Sequence, residues 1–286
     1  MEWDERKHPR DEDGKFTDKD GDLGKSENKF KNFKNPHKKF GRFGKNIDNG
    51  KGNGYNKKDA DMLCSSIKSG KRYSYEELLK TPTIQYFERK NSEAIEKVKT
   101  KQPLSEQDKE KYSNRFLQGV EKIPKQFRAD IVIGLPAAGK STAVVNSLKQ
   151  KYGSFEFDND EIKKLLPGYD ELGASYVHED SKEVQKHAFM AFMKGQKYNG
   201  ANLAIPIVGA KIQSVDNWIG KLQVAEYEVH IHHVEISNNE SLNRATARAI
   251  QTKRYIPLDT IKAYGEKPKI VYNQLKQEGR KGVIFE

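Results

Sequence analysis

Residues Gly134 to Ser141 read Gly-Leu-Pro-Ala-Ala-Gly-Lys-Ser, that is, Gly, four residues, then Gly-Lys-Ser. The run before them, Ala129-Asp130-Ile131-Val132-Ile133, has the short apolar character of a buried strand. The run after them, Thr142 to Leu148, can open a helix. Strand, glycine loop and helix in that order make one unit of a parallel α/β sheet, so this octet constrains the fold more than any other stretch of the chain. Its chemistry is equally specific. Gly134 and Gly139 are expected to let the backbone bend until its N–H groups face phosphate oxygens, where the helix N-terminus adds partial positive charge. Lys140 is expected to reach the β- and γ-phosphates, and the Ser141 hydroxyl to ligate Mg²⁺. Pro136, Ala137, Ala138 and Thr142 complete the expected nucleotide-binding set. The plain alternative is a chance glycine turn, which the apolar run before and the helix after argue against.

The same alternation continues to the C-terminus. Strands are expected near 129–133, 155–157, 201–207, 228–235 and 282–285, with clear helices near 141–150, 180–196, 238–252 and 268–278. Strands alternating with helices predict a three-layer α/β domain of the P-loop kinase type over 128–286, a parallel sheet covered on both faces. Ligands of such sheets sit beyond the carboxyl ends of the strands. Residues 59–127 read as a charged helical region. Tyr75 to Leu79 and Asn91 to Lys99 suggest helices, and Ser105-Glu106-Gln107-Asp108 starts another that carries Tyr112, Phe116 and Val120 at helical spacing. This region is expected to pack on the sheet domain and contains no catalytic constellation.

Residues 1–58 lack the branched apolar residues a core needs and are expected to be a disordered arm. Between Lys25 and Lys58 stand eleven Lys or Arg and two acids, with a Phe-x-x-Phe pair at Phe30 and Phe33 echoed at Phe40 and Phe43. Basic charge with interleaved aromatics suits single-stranded nucleic acid, and a solvated basic linker is the plainer reading. The segment Lys7 to Thr17 is similar to short segments of phage structural and mobile-element proteins. Over all 286 residues the net charge is +11, which favours polyanionic partners. One cysteine, Cys64, excludes an internal disulfide. The chain has no apolar run long enough to span a membrane and no secretory signal behind Met1, so no membrane partner and a cytoplasmic location are expected.

Beyond the loop, the second strand ends in Phe157-Asp158-Asn159-Asp160. Strand alternation puts Asp158 and Asp160 on one side, close to the loop if the first two strands are neighbours. A carboxylate there can take the proton of an attacking hydroxyl or hold Mg²⁺, and one of the two can instead cap the following helix.

With these pieces in order, residues 128–286 resemble the zeta toxins, P-loop kinases whose best-known members phosphorylate UDP-N-acetylglucosamine. The resemblance rests on the loop Gly134–Ser141, on Asp158-Asn159-Asp160 with Lys163, Pro167 and Gly168-Tyr169-Asp170, on the strand after Gly200-Ala201-Asn202-Leu203, and on the stretch Arg244 to Pro257. It implies ATP (or GTP) and Mg²⁺ as cofactors. It implies Asp160 as the general base, Arg254 as a phosphate contact and a second Arg at Arg244 or Arg248, between which the sequence does not choose. It also implies an antitoxin partner covering the nucleotide site.

The departures are equally informative. Where sugar-nucleotide toxins carry a Glu-Gly-Thr-Gly-Arg-like segment, this chain reads Pro206-Ile207-Val208-Gly209-Ala210, followed by Lys211. Lys186 to Met190 lacks the acid those toxins place before that strand. Val177-His178-Glu179-Asp180-Ser181 instead resembles a motif of a broader zeta-like subgroup, in which His178 and Glu179 would orient the acceptor together with Asp158, Asn159 and Lys211. The alternative is that Glu179 and Asp180 are simply helix-start charges. His230, His232 and His233 crowd one strand without ligands at metal spacing and read as polar strand edges. The expected function is therefore transfer of phosphate from a nucleotide to a small-molecule hydroxyl. A polynucleotide-directed kinase and a nucleotide-gated binding module without transfer activity are the rival readings.

Overall fold

The computed structural model describes residues 55–195 and 197–286. The expectations for residues 1–54, including the paired Phe-x-x-Phe segments, lie outside the described residues. The helices α1 (Lys57–Lys68), α2 (Tyr75–Leu79), α3 (Pro82–Val98) and α4 (Glu106–Phe116) come first. Side-chain oxygens start each of them: Asn56, Ser74, Thr81 and Ser105 accept from the backbone N–H groups of the first turns, and Ser74 with Glu77 forms a reciprocal capping box.

The sheet begins at β1 (Arg128–Gly134). A π-helical turn, Ser141–Val145, leads from the loop into α5 (Asn146–Tyr152) and then β2 (Phe155–Glu156). The chain continues through α6 (Asn159–Lys163), α7 (Tyr169–Leu172), α8 (His178–Lys194), β3 (Leu203–Ile207), α9 (Ile212–Val224) and β4 (Glu228–Val234). It closes with α10 (Asn238–Thr252), α11 (Leu258–Tyr264), α12 (Lys267–Gln277) and β5 (Val283–Phe285). The five strands are parallel and ordered β2-β3-β1-β4-β5. Ile131 sits in register with Ile205 on one side and Ile231 on the other, and all three are fully buried. That continuous apolar centre is what a strand covered on both faces requires.

The order corrects one expectation. β1 and β2 are not neighbours, because β3 lies between them. Nor does β2 reach Asp158: the strand ends at Glu156 and Asp158 is the N-cap of α6, so pleat alternation does not govern Asp158 and Asp160. They come near the loop because the β2–α6 turn lies at the same carboxyl edge of the sheet.

Two cores result. The larger packs α8, α9 and α12 about the sheet through Phe157, Phe189, Phe192, Leu222 and Leu275. A second unites α1–α3 with α10 and α11, through Leu63, Ile67, Leu78, Ile84 and Phe87 against Leu242, Ala249, Tyr255, Leu258 and Ile261. Helices α1–α3 thus rest on the helix and loop that carry Arg244, Arg248 and Arg254, whereas α4 packs on α8.

Candidate active site

The carboxyl ends of β1, β2 and β3 and the inner face of α10 enclose a cleft of about 350 Å³. It is lined by Pro136, Ala137, Ala138, Gly139, Lys140, Ser141 and Thr142 of the loop, by Asp158 and Asp160, by Pro206, Ile207 and Val208, and by Arg244, Arg248, Arg254 and Ile256. Gly139 takes φ 91°, the left-handed bend expected of it. Gly134 is needed for a different reason from the one expected: a Cβ there would stand 2.7 Å from the Val234 carbonyl oxygen, so the residue permits close packing of β1 on β4. The loop is tied to α10, whose buried Ser241 hydroxyl donates to the Pro136 carbonyl at 2.7 Å.

Lys140 folds back over its own loop and donates to the carbonyls of Gly134 (2.8 Å) and Leu135 (2.9 Å). Burial, with Arg248 and Arg254 nearby, brings its pKa down to about 8, against the opposing pull of Asp158. Asp158 caps α6 by accepting from the Asp160 N–H at 2.9 Å. Burial, joined by the neighbouring Glu156 and Glu161, raises its carboxyl to about 6. Burial is the first cause of both shifts, so the cleft is poorly solvated, and charges within it interact more strongly than in water.

Asp160 lies between two cations. It pairs with the Arg254 guanidinium and with Lys163 Nζ at 3.1 Å. Arg254 follows the end of α10, where Lys253 adopts a left-handed φ of 62° and turns the chain. The structure also separates the two arginines that the sequence left open. Arg244 stands half-exposed at the rim and donates to Glu240 at 2.6 Å, an acid it shares with Arg72. Arg248 lines the cleft, where it feels the charge of Asp158, and its buried Nε has no hydrogen-bond partner. A buried, unsatisfied guanidinium donor facing a cleft is the arrangement that a phosphate oxygen would complete.

Besides Gly134, four expected residues are not brought to the cleft lining. Asn159 donates to the Ser181 hydroxyl at 3.0 Å and joins α6 to α8. His178 opens α8, where burial and then Lys163 and Lys182 push its pKa down to about 4. Glu179 is exposed, accepts from Lys182 at 2.8 Å, and with Asp180 supplies the acidic first turn of α8. Lys211 is exposed at the start of α9. Within β1 and β4, His232 bonds Asp130 at 2.7 Å, and His230 lies between Glu228 (2.6 Å) and Glu286 (3.0 Å). No group of three His, Cys, Asp or Glu side chains able to hold a metal occurs among the described residues.

Sequence reasoning missed Glu156, Ser241 and Ile256. Glu156 accepts from the Ser141 hydroxyl at 3.2 Å and pairs with Lys149 through its other oxygen. A charged residue in an otherwise aromatic strand end, Phe155-Glu156-Phe157, was the available signal.

The zeta toxin family model matches residues 115–284, more than half of the chain. No curated protein matches. Among solved structures, the chain is similar to one from the PezAT chromosomal toxin–antitoxin system of Streptococcus pneumoniae, at 19% identity and TM-score 0.48, covering 62% of this chain and 76% of that one. It is similar to the AvrRxo1-ORF1:-ORF2 structure with ATP, at 15% identity and TM-score 0.45, over 73% and 67% of the two chains. It is also similar to the Pnkp1/Rnl/Hen1 RNA repair complex, at 18% identity and TM-score 0.42, over 53% and 46%. No helix among the described residues is long and apolar enough to cross a membrane. By the family match across its sheet domain, the chain belongs to the zeta toxin family and is a kinase.

Proposed function

We propose that this kinase transfers the γ-phosphate of ATP, taken as its Mg²⁺ complex, to a hydroxyl of a small metabolite. The observation that carries the reading is the convergence on one cleft of the loop lysine, two aspartates and the part-buried Arg248 and Arg254, a lining of net positive charge that a triphosphate would complement. The loop N–H groups and Lys140 hold the triphosphate. Hard oxygen donors suit Mg²⁺, and the Ser141 hydroxyl, the Asp158 carboxylate and the Glu156 carboxylate 3.2 Å from Ser141 fit that demand. The ion would neutralise charge on the phosphates.

Arg254 and Arg248 clamp the transferred group, because guanidinium donors fixed in a water-poor cleft favour the charge of the transition state. Asp160 accepts the acceptor's proton. Arg254 pairs with one Asp160 oxygen. A γ-phosphate competing for Arg254 frees that oxygen for the hydroxyl, so base and clamp are prepared by the same event. The acceptor meets Pro206, Ile207 and Val208, an apolar strand end where sugar-nucleotide toxins have polar residues. We therefore read the acceptor as a nucleotide sugar such as UDP-N-acetylglucosamine or a related hydroxyl metabolite bound with fewer polar contacts. A cognate antitoxin is part of this reading, on the strength of the family.

The test is a mass-spectrometric screen of a bacterial metabolite extract and of purified UDP-N-acetylglucosamine after incubation with enzyme, ATP and Mg²⁺. A metabolite that gains one phosphate supports the reading and names the acceptor. Phosphate found only on RNA, or on nothing while ATP remains bound, refutes it.

A further inference from the structure

The helices α1–α3 lie outside the family-matched span of 115–284, yet they pack on α10 and α11 and reach the segment between them that presents Arg254. That segment, residues 253–257, is the non-helical link between α10 and α11. Within it, Lys253 turns the chain at φ 62° and the Arg254 N–H donates to the Thr252 hydroxyl at 3.3 Å. A link of this kind has little of its own to fix the direction of a long arginine side chain.

Both neighbours of Arg254 are held from the N-terminal side. Lys253 Nζ stands 4.5 Å from the centre of the Tyr55 ring. Tyr255 stacks on Phe87, with ring centres 5.3 Å apart and planes 11° from parallel. The Tyr255 hydroxyl donates to the Glu88 carboxylate of the same helix, α3. Burial and that hydrogen bond raise the Tyr255 phenol above its ordinary value, so it remains a neutral donor. Tyr255 is buried, and it belongs to the core shared by α1–α3, α10 and α11. Further along, the Tyr75 hydroxyl bonds Asp259, while Asn243 bonds both the N–H and the carbonyl of Tyr73 at 3.0 and 2.8 Å.

We propose that the N-terminal helical layer is a positioning element for the kinase, in which Phe87 and Glu88 hold Tyr255 and thereby set the direction of Arg254 into the cleft. This rests on the reading of Arg254 as a contact of the transferred phosphate. Phe87, Glu88 and Tyr255 do not line the cleft and would act through Arg254. Misplacing a catalytic group by about 1 Å costs roughly a hundred-fold in rate, so removing one anchor of the link lowers turnover strongly while the loop and Lys140 still bind ATP.

The test measures steady-state kinetics of ATP consumption, with the metabolite extract as acceptor, for Tyr255→Phe, Glu88→Ala and Glu88→Gln, each alone and combined with Arg254→Ala. Tyr255→Phe deletes one oxygen and keeps the stack. Glu88→Ala removes the acceptor and keeps the tyrosine. We expect Tyr255→Phe and Glu88→Ala to lower kcat roughly ten- to a hundred-fold with KM for ATP changed little. We expect Glu88→Gln, which still accepts a hydrogen bond, to restore most of the rate. In the Arg254→Ala background the same changes should cost nothing further, because residues acting as a unit are not additive. If either variant yields no folded protein, the other carries the same expectations.

Unchanged kcat in folded Tyr255→Phe and Glu88→Ala, or losses that multiply with that of Arg254→Ala, overturns the positioning role while leaving the phosphate contact intact. Full activity in Arg254→Ala itself overturns the phosphate contact, and the positioning role with it.

Discussion

Lys140 is a cation held where water reaches poorly, and this has a measurable consequence. Its pKa falls from 10.5 to about 8 in the folded protein, chiefly through burial. Between those two values the unfolded chain keeps the Lys140 proton while the folded chain has released it, so stability rises with pH in that window. Below it both states are charged, and the folded protein carries the full cost. From about pH 7.5 to 9.5 the difference in bound protons integrates to about 1.4 units, and at about 1.36 kcal/mol per unit the effect is about 2 kcal/mol. Lys140→Met deletes the titrating group and keeps most of the side-chain length. Urea unfolding of both proteins at the two pH values should show the wild type gaining about 2 kcal/mol relative to Lys140→Met as pH rises. Saturating ATP supplies the missing negative charge and should flatten the wild-type slope. Parallel pH profiles for the two proteins would refute the claim that Lys140 is a buried cation awaiting phosphate.

Other consequences of the geometry can be checked in the same way. Arg248→Ala should lower kcat by about 10²–10³, the typical loss for one buried transition-state donor. Arg244→Ala, at the rim with Glu240, should cost about ten-fold or less; equal losses for the two would contradict their separation by burial. Gly134→Ala should destabilise by about 1–3 kcal/mol in urea unfolding, because the added carbon meets the Val234 carbonyl at 2.7 Å and two strands must part. Glu156→Gln should raise the Mg²⁺ concentration needed for tight binding of a fluorescent ATP analogue and leave metal-free binding unchanged, and an unaltered Mg²⁺ titration would remove Glu156 from the metal site.

The sheet was legible because each strand is a short apolar run between helical intervals. All five expected strands are present, with ends shifted by a residue or two. Strand order was not legible. Asp158 and Asp160 reach the loop across an intervening β3, a relation that no local pattern encodes. The choice between Arg244 and Arg248 was also closed to sequence, since both lie on one face of α10 and only tertiary packing buries one of them. The role of α1–α3 was hidden for the same reason. Their polar helices read as a charged region, and the aromatic contacts of Tyr55 and Phe87 with the Arg254 link span more than 160 positions of sequence. Glycine was read correctly at Gly139, where a positive φ follows from the loop itself. At Gly134 the reason is the approach of another strand, which the loop sequence does not show.

The most direct test of the account is phosphate transfer from γ-labelled ATP with Mg²⁺ into a bacterial metabolite extract, comparing the wild type with Asp160→Asn at matched ATP occupancy. The account predicts label on a small hydroxyl metabolite with the wild type and none above background with Asp160→Asn, both proteins binding ATP. Undiminished transfer by Asp160→Asn, or no transfer by a wild type that binds ATP, would contradict it.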